Sequence, residues 1–233
     1  MIGNDTIAEM KERLSPAIAD GADVIGFQME RLPLSERSDE KIKDLFAACK
    51  DLPIYITSYR GRNNADLSDE ERVEYLLQCL SCGATLGDVM GDLYHPEPTG
   101  MTFDAVAVEK QKELICKIHA MGKEALISTH TGTFLKPEEL LRYAKAQEER
   151  GTDIVKLVNY AQTEDELIAN MQTADLFALE LDKPYILLAN GSECRPLRLS
   201  GVKKGVCAYL CRTAPTGEQP LVKTAKYWRD AGL

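Results

Sequence analysis

Gly151-Thr152-Asp153-Ile154-Val155-Lys156-Leu157-Val158-Asn159-Tyr160 is the stretch on which the fold turns. Its run from Asp153 to Tyr160, aliphatic and β-branched, is the length of a strand and follows a glycine. An amphipathic segment, Thr163 to Thr173, follows it, and a second apolar run extends from Pro184 to Asn190. Two buried strands joined by a helix make a parallel crossover, and parallel strands covered on both faces read as continuous apolar runs.

The same alternation extends outward in both directions. Further strands are expected at Ala22–Met29, Pro53–Tyr59 and Glu124–His130, with weaker ones at Ala84–Met90 and Gly205–Cys211. Helices are expected at Thr6–Ile18, Ser68–Ser81, Asp104–Met121 and Pro137–Glu149. Ser68 leads into Asp69, Glu70 and Glu71, and Thr163 precedes Glu164 and Glu166, placing acid where a helix N-terminus favours it. Strands alternating with helices predict an α/β protein of the TIM type, a (β/α)8 barrel. Only Met1 to Asn4 precede the first helix, so the first strand is expected to be missing or vestigial. No linker-like tract interrupts the alternation, and one domain over residues 1–233 is expected.

Composition narrows the function. The chain has 233 residues, 44% hydrophobic and 28% charged, as soluble globular proteins do, and no apolar run long enough to span a membrane. Lys and Arg total 28 against 37 Asp and Glu, a net charge of −9, which argues against nucleic acid as a partner. Seven cysteines, an odd and scattered set, do not make a secreted disulfide framework. No signal peptide is visible, and a reduced cytoplasm is the expected location. Cys79 and Cys82 have the spacing of a metal or redox pair but lack a second pair, so buried thiols are expected. Three histidines without ligand spacing give no metal signal; His119 is expected to be structural and His95 to sit in a surface loop.

In a β/α barrel the active site lies at the C-terminal strand ends. A lysine inside a buried strand is costly unless paired or put to use, and desolvation favours its neutral amine, which can attack a carbonyl. Lys156 is therefore the candidate nucleophile, the alternative being a lysine paired with an interior carboxylate such as Asp88. His130 ends the run Ala125 to His130 and suits proton transfer near neutral pH. Asn190-Gly191-Ser192 leading to Arg195 is a candidate anion site.

These residues together resemble type I 3-dehydroquinate dehydratase, over about Gly21 to Gln219. Gly151 to Lys156 is similar to the segment carrying that family's imine-forming lysine, and Ile127 to His130 to the strand carrying its histidine. Gly191 to Arg195 is similar to the segment whose arginine holds the substrate carboxylate, and Thr213-Ala214-Pro215 with Gly217 and Gln219 to its closing loop. The resemblance implies a Schiff-base lyase that dehydrates 3-dehydroquinate or a related polyhydroxylated cyclic keto acid. No metal or organic cofactor would be needed, and a homodimer is implied. Lys156 and His130 would be catalytic; Arg195, Asp88, Thr213, Gln219, Glu30 and Arg60 would bind substrate. The chain departs from the family pattern in several places. Gly26 and Gln28 stand where glutamate and arginine are expected, Met90 where glutamate is, and Thr131 where an acid follows the histidine. Tyr59-Arg60-Gly61-Arg62-Asn63-Asn64-Ala65 leaves the arginine's register open and lacks the acid of the family's turn, and Thr216 and Glu218 are extra. The imine and proton-shuttle pair is kept while hydroxyl-binding groups are replaced, which points to a changed substrate. A retro-aldolase using the same imine, or an inactive ligand-binding homologue, fits the same residues.

Overall fold

The structure is a computed structural model, and it describes residues 1–211, 223, 225–227 and 230. The chain divides into two compact units. One comprises Met1–Asp88, Ile118–Glu124 and the described residues from Leu210 onward; the other comprises Val89–Lys117 and Ala125–Tyr209.

The first unit opens with α1 (Ile7–Ala19), capped by Thr6, whose hydroxyl accepts the Glu9 N–H. Next come β1 (Ile25–Gln28), α2 (Asp39–Ala47) and β2 (Ile54–Thr57). Then α3 (Asp69–Ser81) starts on a full capping box between Ser68 and Glu71, as the sequence predicts. β3 (Leu86–Met90) begins in this unit. β1 pairs with β2, and β2 with β3, all parallel. The expected vestigial first strand is present as a single residue: Ile2 forms a parallel bridge to Phe27, donating to Gly26 O at 2.7 Å and accepting from Gln28 N at 2.9 Å. Ile25, Phe27, Ile54 and Ile56 are buried, and Phe27 packs on Phe46 of α2.

In the second unit α4 (Ala105–Ala120, its last turn in the first unit) is followed by β4 (Glu124–His130) and α5 (Pro137–Glu149). β5 (Ile154–Tyr160), α6 (Glu164–Glu180), β6 (Tyr185–Asn190) and a short α7 (Arg195–Ser200) complete it. β4, β5 and β6 are parallel neighbours in chain order. Leu157, Leu187 and Ala189 pack with Leu140, Tyr143 and Ala144 of α5 and with Ala174 and Phe177 of α6. Gly205–Cys211, expected as a strand, contributes one bridge, Tyr185 to Val206. Among the described residues no helix is long and apolar enough to cross a membrane.

Candidate active site

Register and the two-residue period of a strand decide what faces what. In the second unit Lys156 lies opposite Ser128 of β4 and Ile186 of β6, and His130 lies opposite Val158. Lys156, Val158, Ser128, His130, Ile186 and Leu188 therefore share one face. Val155, Leu157, Leu187 and Ala189 occupy the other, which is the face that packs on α5 and α6. Lys156 is only 4% exposed in spite of turning away from these helices, whereas His130, at the C-terminal end of β4, is exposed. The two residues predicted to act together stand on adjacent strands, on the same face, two positions apart.

Behind them, α5 and a loop hold the strands. Gln147 of α5 is fully buried: its Oε1 accepts the Lys156 N–H at 3.0 Å, and its Nε2 donates to Lys156 O at 3.2 Å and to Thr129 Oγ1 at 3.1 Å. Residues 91–102 form a loop closed by Thr102 N donating to Gly91 O at 3.1 Å. Buried Arg150 donates to Gly91 O, Thr102 O and Gln111 Oε1; with no carboxylate among these partners, desolvation pulls its pKa down to about 10. Gly100 has a φ of +66°, and a Cβ there would lie 2.7 Å from His130 O, so the loop rests directly on the histidine's backbone. Thr131, where the resemblance expects an acid, is buried, its hydroxyl donating to Thr133 O at 2.6 Å.

Arg195, expected to clamp a carboxylate, opens α7 and is exposed. The turn before it is spent on β5's end: Glu193 N donates to Ala161 O and Ser192 Oγ to Gln162 O. Arg198, one turn further on, donates to Ala189 O at 2.9 Å and Asn190 Oδ1 at 3.0 Å, tying α7 to the end of β6. Sequence reasoning missed it, although its three-residue spacing from Arg195 was available.

The first unit holds Glu30, Arg60 and Asp88. Asp88 is buried and accepts the hydroxyls of Tyr55 and, at 2.6 Å, Tyr59. Burial and the neighbouring carboxylate push the Tyr55 phenol well up. Glu30 accepts from Thr57 Oγ1 at 2.7 Å, and desolvation raises its pKa despite that bond. Arg60 forms a two-pronged pair with Asp69, Nε at 3.1 Å and Nη2 at 2.6 Å, and Arg72 joins the same carboxylate. Tyr55, Thr57 and Tyr59, alternating on β2 and just beyond it, supply these partners. Gly26 has a neighbour already in place: a Cβ there would meet Met1 Sδ at 2.2 Å and the Tyr55 ring at 3.2 Å. A side chain at position 26 would have to displace both. Thr213 and Gln219 lie outside the described residues.

Parallel strands alternating with helices define a fold of the β/α-barrel class, and Lys156 and His130 lie on one face of its strands. Among the described residues its first and last strands are reduced to single bridges. The family model described as Type I 3-dehydroquinase matches residues 1–215, and the chain belongs to that family. Solved structures agree on the fold. The 3-dehydroquinate dehydratase of Geobacillus kaustophilus HTA426 is 14% identical, with a TM-score of 0.81 over 99% of this chain and 90% of that one. The type I enzyme of Clostridium difficile, solved with covalently modified comenic acid, is 16% identical with a TM-score of 0.77 over 99% and 92%. The Aquifex aeolicus enzyme is 18% identical with a TM-score of 0.68 over 99% and 98%. No curated protein sequence matches. Family and fold together support a dehydratase-like lyase acting on a small molecule.

Proposed function

We propose that this chain is a Schiff-base-forming lyase that removes water from 3-dehydroquinate or a related polyhydroxylated cyclic keto acid. The observation that carries this reading is Lys156, buried on β5 and turned from the helices, with His130 on the same face of the adjacent strand. The Lys156 amine adds to the substrate ketone, and loss of water gives an imine. His130 takes the proton from the carbon beside the imine, whose C=N accepts the electron pair. The electrons then return to expel the β-hydroxyl, which leaves as water after His130 hands it the proton, and hydrolysis of the imine frees the product. Arg195 pairs with the substrate carboxylate. Asp88, Glu30, Arg60, Thr213 and Gln219 are proposed as further substrate-binding residues, and a cytoplasmic homodimer is proposed as the working form.

The substitutions Gly26, Gln28, Met90 and Thr131 favour a ring with a different set of hydroxyls over 3-dehydroquinate itself, because a site made to bond hydroxyls rejects ligands that leave its groups unpaired by as much as ~10⁴-fold. The test is borohydride reduction in the presence of 3-dehydroquinate, then of other cyclic keto acids, with peptide mass spectrometry across Lys156. An adduct on Lys156 that is absent from Lys156→Ala supports the imine. Product of unchanged carbon count supports dehydration, whereas cleaved fragments would establish a retro-aldolase. Ligand-induced thermal stabilisation with neither adduct nor product would overturn the enzyme reading in favour of a binding protein.

A further inference from the structure

Lys156 and His130 sit on separate strands, and one buried side chain bonds the backbone of Lys156 and the hydroxyl of Thr129, the residue before His130. Gln147 lies on the sheet-facing side of α5 among Leu140, Tyr143 and Ala144, where an aliphatic residue would pack without any desolvation cost. Instead its amide meets three partners: the N–H and the C=O of Lys156, and the hydroxyl of Thr129, the residue immediately before His130. A flat amide that accepts from one peptide group of Lys156 and donates to the next fixes the rotation of β5 at that residue. The Lys156 side chain leaves on the opposite face, so this rotation sets the direction in which the amine projects. The Thr129 contact ties the same amide to β4, and Thr129 Oγ1 continues to Met101 Sδ at 3.4 Å, in the loop whose Gly100 is seated on His130.

We propose that Gln147 is a positioning residue for the Lys156 and His130 pair: it sets the two strands' rotation and register from behind while touching neither functional side chain. The inference rests on the imine reading only for its kinetic consequence; the geometric claim concerns the amine alone. Three hydrogen bonds to one buried amide exceed what packing needs. Leaving backbone groups unpaired, or letting β5 turn, moves the amine, and displacements of about 1 Å in a reacting group cost on the order of 10²-fold in rate.

The test uses the full chain with Gln147→Met, which keeps the shape and removes all three bonds, and Gln147→Glu, which keeps the acceptor for the Lys156 N–H. Ala144→Gly, on the same helix and fully buried, serves as a destabilised control. Two rates are read by peptide mass spectrometry: reductive methylation of Lys156 by formaldehyde and cyanoborohydride, relative to the other lysines, and borohydride trapping with the keto acid. Gln147→Met should slow both at Lys156 by about tenfold or more, Gln147→Glu should recover part of the loss, and Ala144→Gly should stay within about twofold of wild type. Equal rates in Gln147→Met and Ala144→Gly at matched melting temperature would overturn the inference. Should Gln147→Met not fold, Gln147→Glu decides: a Lys156 rate equal to that of the control sinks the proposal. A wild-type chain that is methylated quickly at Lys156 but traps no keto acid would refute the imine function and leave the positioning role standing on the methylation comparison.

Discussion

Single atoms decide what Glu30 and Gly100 do. Glu30 is buried with a raised pKa, caused first by desolvation and only partly offset by Thr57. A carboxyl whose folded pKa exceeds its unfolded one binds its proton more tightly in the fold. The stability it contributes is therefore fully present below the ordinary carboxylate range and lost as pH rises through the folded value. Glu30→Gln removes that titration. Denaturant unfolding of both proteins should show the wild type gaining on the variant as pH falls from neutral towards the ordinary glutamate range. A difference that stays flat, or runs the other way, would show that the site does not penalise the charge. Gly100 makes the opposite kind of demand, for space. Alanine there would adopt an unfavourable φ and push a methyl into His130 O, so Gly100→Ala should cost about 1–3 kcal/mol in unfolding experiments. If the imine reading holds, kcat should drop more than the stability loss alone explains, with KM little changed.

Elements differ in how openly the sequence declares them. β4, β5 and β6 were readable to within a residue because aliphatic runs between turn residues have no other use in a soluble chain. Lys156 stood out for the same reason, as a charge in the middle of such a run. α5 matched its predicted ends, and α3 its predicted cap. α6 was legible only to Thr173 and runs to Glu180, because Thr173 bonds back to Ala169 O and so sits inside the helix without ending it. α2 shows only Ile42, Leu45 and Phe46 to the core over nine residues, too short a period to stand out. Gly205–Cys211 has a strand's composition but pairs only at Val206, after Gly205 turns through a positive φ. What no local pattern could reveal was the pairing between elements: Tyr55 and Tyr59 on Asp88, about thirty residues on, and Asp69 on Arg60 and Gln147 on Lys156, each nine residues apart but set by how a helix packs on its strand. The loop 91–102 belongs to this group, since its neck is fastened by Arg150, far along the chain. Arg150→Met should strand Thr102 O and Gln111 Oε1, costing about 2–4 kcal/mol. Amide hydrogen exchange should then quicken across residues 91–102 more than in α6; equal acceleration everywhere would mean that Arg150 stabilises the unit generally and is not the loop's fastening.

On the scale of the whole molecule, three of the four places where the chain passes between its two units fall inside elements, and the fourth follows Tyr209. β3 leaves the first unit after Asp88, α4 returns to it after Lys117, and β4 leaves again after Glu124. A strand or helix divided in this way resists unfolding by parts, because melting one unit breaks the ladder or helix on which the other ends. We therefore expect one cooperative transition across residues 1–233, the behaviour of a single domain. Calorimetry separates the cases by size. At roughly 0.7 kcal/mol per residue near 60 °C, a unit of 233 residues has a van't Hoff enthalpy of about 160 kcal/mol, and independent halves would each show about 80. Ile2→Ala probes the first unit through its one-residue bridge and should cost about 2–5 kcal/mol, since Ile2 is buried. Phe177→Leu probes the core of the second. If the units are coupled, each substitution moves the same single peak and leaves the ratio of van't Hoff to calorimetric enthalpy near one. Two peaks, each sensitive to only one of the substitutions, would establish separately folding units and would make Lys156 and His130, both in the second, independent of damage to the first.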